Sequence, residues 1–352
     1  MSKLSDLGAW LIGSLARPFA ADGTKPPGEE ARAKTLDVHV HLVGSGDAGS
    51  GCRISKKFAD RVIFKVLMRR MRVFERASTL DEGYVLALAE LLRDSPLDKA
   101  AVMALDAVYD PSGRPDWAST HLYVPNDYVF EVAARYPSEM VPCVSVNPDR
   151  ADALDELERC VARGARGLKL LPPSQGIDLA DRRHARFFAR CAKLKVVLIV
   201  HTGHEHAIPA LDNRLGHPAK LELALDQGCT VVACHGATGL PWEWPKTLPE
   251  FLKMLRKYPN LWGDTAGLAW LVRSRDFRRL RRDDLAVERL VHGSDFPVPP
   301  HAWAFLPEIG WAGLRRIQRI RNPLTKDLAL KTALGVGRAS AERAYRLLCG
   351  PD

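Results

Sequence analysis

Short apolar segments alternate with segments of helical periodicity along most of the chain. Between the apolar segments, hydrophobic residues recur every three or four positions, which predicts helices over 80–92, 127–135, 151–163, 181–194, 218–227, 248–258 and 276–285. The apolar segments themselves predict eight buried strands, at 36–42, 100–105, 141–146, 167–171, 196–200, 230–234, 261–266 and 289–293. The repeated change from strand to helix predicts βαβ units around a parallel sheet.

Eight such units predict an α/β fold, a closed (β/α)8 TIM barrel. We expect residues 1–34 to form an N-terminal extension with a short helix packed on the barrel, a peripheral membrane contact being the alternative for that helix. Residues 35–352 would form the barrel, including two C-terminal capping helices within 324–348. The segments 43–76 and 106–125 are long βα loops, which this fold places at its active-site face.

Charge and cysteine content narrow the class of protein. The 51 basic and 42 acidic residues give a net charge of +9, concentrated at 273–282 and 315–321. Because no nucleic-acid motif accompanies them, we interpret these runs as solvated helix faces and expect no nucleic-acid partner. No apolar run reaches the ~20 residues of a membrane span. Seven cysteines without a CxxC pair predict reduced thiols in a cytoplasmic protein.

Metal-binding side chains stand at the ends of four predicted strands. The first strand ends in D-V-H-V-H, where His39 and His41 are two residues apart and face the same side. The fifth, sixth and eighth end in H-T-G at 201–203, C-H-G at 234–236 and H-G-S-D-F-P at 292–297. Imidazoles and a carboxylate suit Zn²⁺ or a similar ion and leave a position for water. The alternative is a set of unrelated, hydrogen-bonded polar residues.

Together with G-L-K-L-x-P at 167–172, these motifs resemble the amidohydrolase superfamily. The resemblance is to the amidohydrolase-related branch that includes aminocarboxymuconate-semialdehyde decarboxylase, and it runs from Leu36 to about Leu348. The terminal segment R-A-Y-R-L-L at 343–348 lacks the Asn usual in the family. The set of motifs is specific for the superfamily and says little about the substrate.

The resemblance implies that one divalent metal ion is held by His39, His41, His201 and Asp295. Zinc is the ion we expect first, with manganese or iron and a second ion as open alternatives. It also implies that His235 orients or deprotonates the attacking water. Asp295 would accept the proton of that water as general base and pass it to the leaving group as general acid.

Three roles are open for Lys169. It could be a carboxylated ligand that bridges two metals, a contact or proton donor to an anionic substrate, or a residue with a structural pairing partner. Asp264, at the end of the seventh strand, is expected to orient a ligand histidine or to be structural. His292 is expected to be a packed core residue. Candidate substrate contacts, for which loop position or packing is the alternative, are His204, His206, Trp242, Trp244 and His301.

The predicted function is that of a metal-dependent hydrolase cleaving an amide, lactone or ester-like bond of a small molecule. The first alternative is a non-oxidative decarboxylase or hydratase of an aromatic or unsaturated acid, which would favour pocket cations. The second is a non-catalytic barrel that binds nucleic acid or anionic lipid through its basic helices. A homodimer is the assembly we consider, since such dimers are common among symmetric oligomers.

Overall fold

The computed structural model describes residues 18–22, 33–240, 242–243 and 246–350. The predicted helix near residues 7–16 and the side chain of Trp244 lie outside these residues. Eight strands pair in parallel, in chain order, and no end differs from the predicted run by more than two residues. They are β1 Leu36–His41, β2 Lys99–Met103, β3 Met140–Val144, β4 Gly167–Leu170, β5 Val197–Val200, β6 Val231–Ala233, β7 Leu261–Asp264 and β8 Leu290–Val291.

Backbone hydrogen bonds across the seam between β8 and β1 bring the first and last strands together. Val38 N donates to His292 O at 2.9 Å, and His41 N donates to Phe296 O at 3.1 Å. Asp295 N in turn donates to His39 O at 3.0 Å. The sheet is therefore a nearly closed barrel, and its seam sets Asp295 beside His39.

Helices surround the sheet and follow the predicted segments. They are α1 Lys56–Ala59, α2 Val62–Met71, α3 Val73–Arg76, α4 Leu80–Arg93, α5 Asn126–Arg135, α6 Ala153–Ala162, α7 Pro172–Gln175, α8 Ala185–Lys193, α9 Glu222–Asp226, α10 Leu248–Lys257, α11 Ser274–Leu280, α12 Asp284–Glu288, α13 Leu306–Arg319, α14 Pro323–Ala333 and α15 Arg338–Cys349. Short 3₁₀ turns lie at Arg182–His184, Asn213–Gly216, Pro218–Leu221, Cys234–Ala237, Leu271–Arg273 and Ala302–Phe305.

The segment 43–76, which we expected to be a long loop, folds into α1, α2 and α3. In α2 the buried residues are Phe64, Leu67, Met68 and Met71, a spacing that places one apolar stripe against the barrel. An antiparallel pair between Arg53–Ile54 and Leu122–Tyr123 ties this insertion to the one after β2. The expectation of a loop was wrong because the helical stripe within the segment was overlooked.

The C-terminal helices cap the barrel as predicted. The interior of the barrel includes Leu36, Val38 and Ile199, and Ala344 and Leu348 of α15 belong to the same apolar cluster. Among the described residues, none of the helices has both the length and the apolar character needed to cross a membrane.

Candidate metal centre

His39, His41 and Asp295 converge at the carboxyl end of the barrel. The Nε2 atoms of the two histidines lie 3.2 Å apart, and each lies 3.5 Å from Asp295 Oδ1. His39 is buried, whereas the His41 side chain is 22% exposed. These three ligand atoms can face one ion whose remaining positions open toward the barrel mouth.

His201 and His235 lie beside this group. The rings of His39 and His235 are centred 5.5 Å apart, and those of His201 and His235 4.9 Å apart. His235 Nδ1 donates to Ala266 O at 2.9 Å, which leaves its Nε2 as an acceptor 3.2 Å from His201 Nδ1. The buried Nε2 atom of His201 has no hydrogen-bond partner among the described residues. An unpartnered buried nitrogen has a lone pair available for a metal ion, so His201 fits the role of a ligand.

Asp264, at the end of β7, holds the imidazole of His39 and the backbone of His235. Its Oδ2 accepts a hydrogen bond of 2.8 Å from His39 Nδ1, and its Oδ1 accepts one of 2.6 Å from His235 N. Because the first bond places the His39 proton on Nδ1, the lone pair of Nε2 faces His41 and Asp295. Asp264 therefore orients the imidazole of His39.

The electrostatic setting gives the protonation states that metal ligands need. Burial lowers the pKa of His39, His201 and His235 well below the usual value, so all three are neutral imidazoles. Burial alone would raise the pKa of Asp295, but its hydrogen bond with His41 and its electrostatic interactions with the surrounding side chains, Lys169 among them, hold that pKa below its usual value. Among the proposed ligands, the neutral imidazoles of His39 and His201 and the carboxylate of Asp295 are in the forms that bind a divalent ion.

Lys169 lies inside the same cluster. Its buried Nζ donates to His39 Nε2 at 3.1 Å and to Cys234 Sγ at 3.2 Å. The lysine therefore uses the lone pair with which His39 would bind a metal, so metal binding requires this hydrogen bond to break.

Two further charged residues lie near the centre: Arg273, which received no role from sequence reasoning, and Glu205, for which a hydrogen-bond network around the ligand, a substrate contact and an ordinary loop position were open. Arg273 is buried, and its Nη1 donates to Thr238 O at 2.5 Å and to Thr238 Oγ1 at 3.2 Å. Glu205 Oε2 lies 3.4 Å from His201 Nδ1, and burial raises the pKa of Glu205. Arg273 begins the basic run that we interpreted as a solvated helix face, and for this residue that interpretation was wrong. Its position nine residues after the end of β7 was the available signal.

The candidate substrate contacts occupy several different places. The side chains of His204 and His206 lie beside the carboxylate of Glu243. The Trp242 residue is 63% exposed to solvent. His301 is buried, with its ring stacked on Trp270 at a centroid distance of 6.3 Å.

His292 is a fully buried residue on the far side of the eighth strand. Its Nε2 lies 3.9 Å from Asp37 Oδ2 and 4.0 Å from Asp327 Oδ2. This agrees with its interpretation as a packed core histidine.

A separate cavity of about 430 Å³ opens between α5 and α6, lined by Asp106, Arg150, Glu156 and Arg159 among others. Its charges pair with one another, Arg150 with Asp106 at 3.2 Å and Arg159 with Glu156 at 2.7 Å. The metal-ligand cluster is not part of this cavity.

The fold and the site together define a (β/α)8 barrel with a metal-ligand cluster at the carboxyl ends of its strands. A family model described as Amidohydrolase matches residues 36–346. The chain therefore belongs to the amidohydrolase family.

Solved structures share the fold at low sequence identity. A TIM-barrel protein of Bordetella bronchiseptica without assigned function is 19% identical, with a TM-score of 0.59, covering 90% of this chain and 99% of its own. A provisionally assigned 2-pyrone-4,6-dicarboxylic acid hydrolase of Pseudomonas putida is 15% identical, with a TM-score of 0.53, covering 91% and 98%. A 2,6-dihydroxybenzoate decarboxylase from Rhizobium is 13% identical, with a TM-score of 0.50, covering 90% and 99%. No curated protein matches the sequence significantly.

Proposed function

We propose that this protein is a metal-dependent hydrolase that cleaves an amide, lactone or ester-like bond of a small molecule bearing an anionic group. The observation that carries the proposal is the position of Asp295 Oδ1, 3.5 Å from Nε2 of both His39 and His41. With His201, these residues would hold one divalent ion. Zinc is the first candidate because imidazole and carboxylate ligands suit it, and manganese and iron are the alternatives.

When bound, the ion supplies a nucleophile by lowering the pKa of its water toward neutrality. In this proposal, Asp295 accepts the proton of the attacking water and returns it to the leaving group. His235 orients the water through Nε2, which carries no proton because Nδ1 donates to Ala266 O. His201 Nδ1 has a second acceptor in Glu205 Oε2, 3.4 Å away, which frees His235 Nε2 for this task.

Arg273 is the residue we propose to bind the anionic group. Its buried guanidinium interacts electrostatically with Asp295, Glu243 and Glu205, and Thr238 fixes its position. A buried arginine binds a carboxylate strongly because water does not compete. The names of the Pseudomonas putida and Rhizobium proteins both refer to carboxylic acids, which supports a carboxylate substrate.

The second candidate function is non-oxidative decarboxylation of an aromatic or unsaturated acid. The observation that favours it is the buried ammonium of Lys169, 3.1 Å from His39 Nε2. In that position Lys169 would neutralise a substrate carboxylate or deliver a proton to the carbon that loses carbon dioxide. If the lysine is instead carboxylated, it would bridge two ions, and hydrolysis would be favoured.

Metal content and product analysis test these roles together. Purified wild-type protein, His39→Ala and Asp295→Ala would be analysed for bound metal and then assayed with carboxylate-bearing lactones, amides and benzoates. We expect about one metal equivalent at this centre in the wild type and its loss, with activity, in both variants. His217→Ala is the matched control, because His217 belongs to none of the candidate metal-ligand groups and caps a 3₁₀ turn.

The product distinguishes the two functions. Acid released without carbon dioxide supports hydrolysis, and carbon dioxide with one proton consumed supports decarboxylation. Full activity in metal-free protein, or in Asp295→Ala, would overturn both.

We also propose a cellular location and an assembly for the protein. Six buried thiols, at Cys52, Cys143, Cys160, Cys191, Cys229 and Cys234, support a reducing compartment such as the cytoplasm. A homodimer is the assembly we propose, and light scattering of the purified protein would test it.

A further inference from the structure

We propose that His204, His206 and Glu243 form a second metal site, at the rim of the barrel mouth, that binds Zn²⁺ or a similar divalent ion. The two histidines belong to the loop after β5, and Glu243 belongs to the loop after β6. This site is separate from the centre formed by His39, His41, His201 and Asp295, and it does not depend on the reaction proposed above.

The geometry of the rim site is close to that of a His₂Glu metal centre. One ligand atom from each residue lies within 4.8 Å of the other two. His204 Nδ1 lies 3.9 Å from Glu243 Oε1, and His206 Nε2 is hydrogen-bonded to the same oxygen. Around tetrahedral zinc, with bonds of about 2.0–2.2 Å, the ligand atoms lie about 3.3 Å apart. Small side-chain rotations would therefore complete the site.

Glu243 is held so that one carboxylate oxygen faces the two imidazoles. Its Oε2 accepts a hydrogen bond of 2.8 Å from Leu240 N, which leaves Oε1 for His204 and His206. A Cβ atom at Gly239 would lie 2.7 Å from Oε2, so the glycine makes room for this arrangement. Such a hydrogen bond to the second oxygen is typical of metal-binding carboxylates.

Burial and exposure also fit a metal site. The Glu243 side chain is only 5% exposed, whereas those of His204 and His206 are 28% and 40% exposed. A buried carboxylate needs compensating partners, and a divalent ion held between the carboxylate and the two imidazoles would be a strong one. The exposed side of the site gives the ion access and leaves positions for water.

The loop that carries the two histidines is anchored in this conformation. Arg61 Nη1 donates to His206 O at 2.8 Å and also to Ala207 O. Glu205 N donates to Asn213 Oδ1 at 2.8 Å. An ion at the rim would therefore connect this anchored loop to the loop of Glu243 across the barrel mouth. It would stabilise the loops that follow His201 and His235.

Metal titration of the complete chain tests the rim site without any substrate. Demetallated wild type, His206→Ala, Glu243→Gln and His39→Ala would each be titrated with Zn²⁺ by calorimetry and with Co²⁺ by visible absorption. We expect two equivalents in the wild type and one in each variant. The ion that remains in His39→Ala should be lost in the double variant His39→Ala/Glu243→Gln, and His217→Ala should bind as the wild type does.

Lys169→Met separates the rim site from a second ion bridged by a carboxylated lysine. If the second equivalent disappears in Lys169→Met and persists in His206→Ala, the rim proposal is wrong. It is equally wrong if His206→Ala and Glu243→Gln bind as much metal as the wild type. The His206 side chain is 40% exposed, so its removal leaves no cavity in the core. Circular dichroism of each metal-free variant checks that the variants fold. Since no turnover is measured, failure here leaves the proposed hydrolase function unaffected.

Discussion

His301 is a buried histidine in a cationic environment. Its Nδ1 and Nε2 atoms have no hydrogen-bond partner among the described residues, and its ring stacks on Trp270. Burial, followed by the charges of Arg70 and Lys326, lowers the pKa of His301 from 6.5 to about 4. In the unfolded chain the same imidazole takes up a proton near pH 6.5, so the folded state loses stability as the pH falls from there toward 4.

We expect His301→Gln to remove this part of the pH dependence. At 1.36 kcal/mol per pKa unit, the shift corresponds to a loss of at most about 3 kcal/mol in the free energy of unfolding between pH 6.5 and pH 4. Urea unfolding of wild type and variant at pH 7 and pH 4.5, with chelator present so that metal release does not contribute, measures the difference. His217→Gln is the control and should follow the wild type. An unchanged pH dependence in His301→Gln would show that His301 is readily protonated in the folded protein.

At the scale of elements, α14 depends on one buried residue at its start. Asn322 Oδ1 accepts hydrogen bonds from Leu324 N at 3.0 Å and Thr325 N at 3.4 Å, which caps the helix. Its Nδ2 donates to Leu91 O at 2.8 Å, near the end of α4. The side chain therefore starts one helix and satisfies the last turn of another, which locks the C-terminal cap to the barrel.

We expect Asn322→Ala to lower the free energy of unfolding by about 2–3 kcal/mol, because a cap is lost and a buried carbonyl keeps no partner. Denaturant unfolding at fixed metal concentration measures the effect. Ser55→Ala, which removes the cap of the four-residue helix α1, is the control and should cost about 1 kcal/mol or less. Equal losses in the two variants would contradict the role given to the Leu91 contact.

At the scale of the whole molecule, the candidate metal centre joins strands that are far apart in the sequence. His39 and His41 lie on β1, His201 follows β5, and Asp295 follows β8 beside the seam. An ion held by these residues binds the folded state only, so its binding free energy adds to the stability of the barrel.

Removing the metal should therefore lower the Tm of the whole barrel, by an amount equivalent to about 4 kcal/mol when free metal stands at a thousand times its Kd. Calorimetric scans of the wild type with and without dipicolinate measure this, and added zinc should restore the transition. Asp295→Ala should show a much smaller response to the chelator, since only the rim site would remain. An unchanged wild-type Tm after complete metal removal would contradict this prediction.

The sequence alone determined the barrel and the order of its strands, because buried parallel strands are continuous apolar runs and the helices between them keep a 3.6-residue period. It also placed His39, His41, His201, His235 and Asp295 at strand ends, since each lies within its apolar run or a few residues beyond it. The tertiary structure decided what depends on distance between strands: the hydrogen bond from His39 to Asp264, the contact of Lys169 with His39, and the burial of Arg273. These pairs are remote in sequence, and only the closing of the barrel fixes the separation of their atoms.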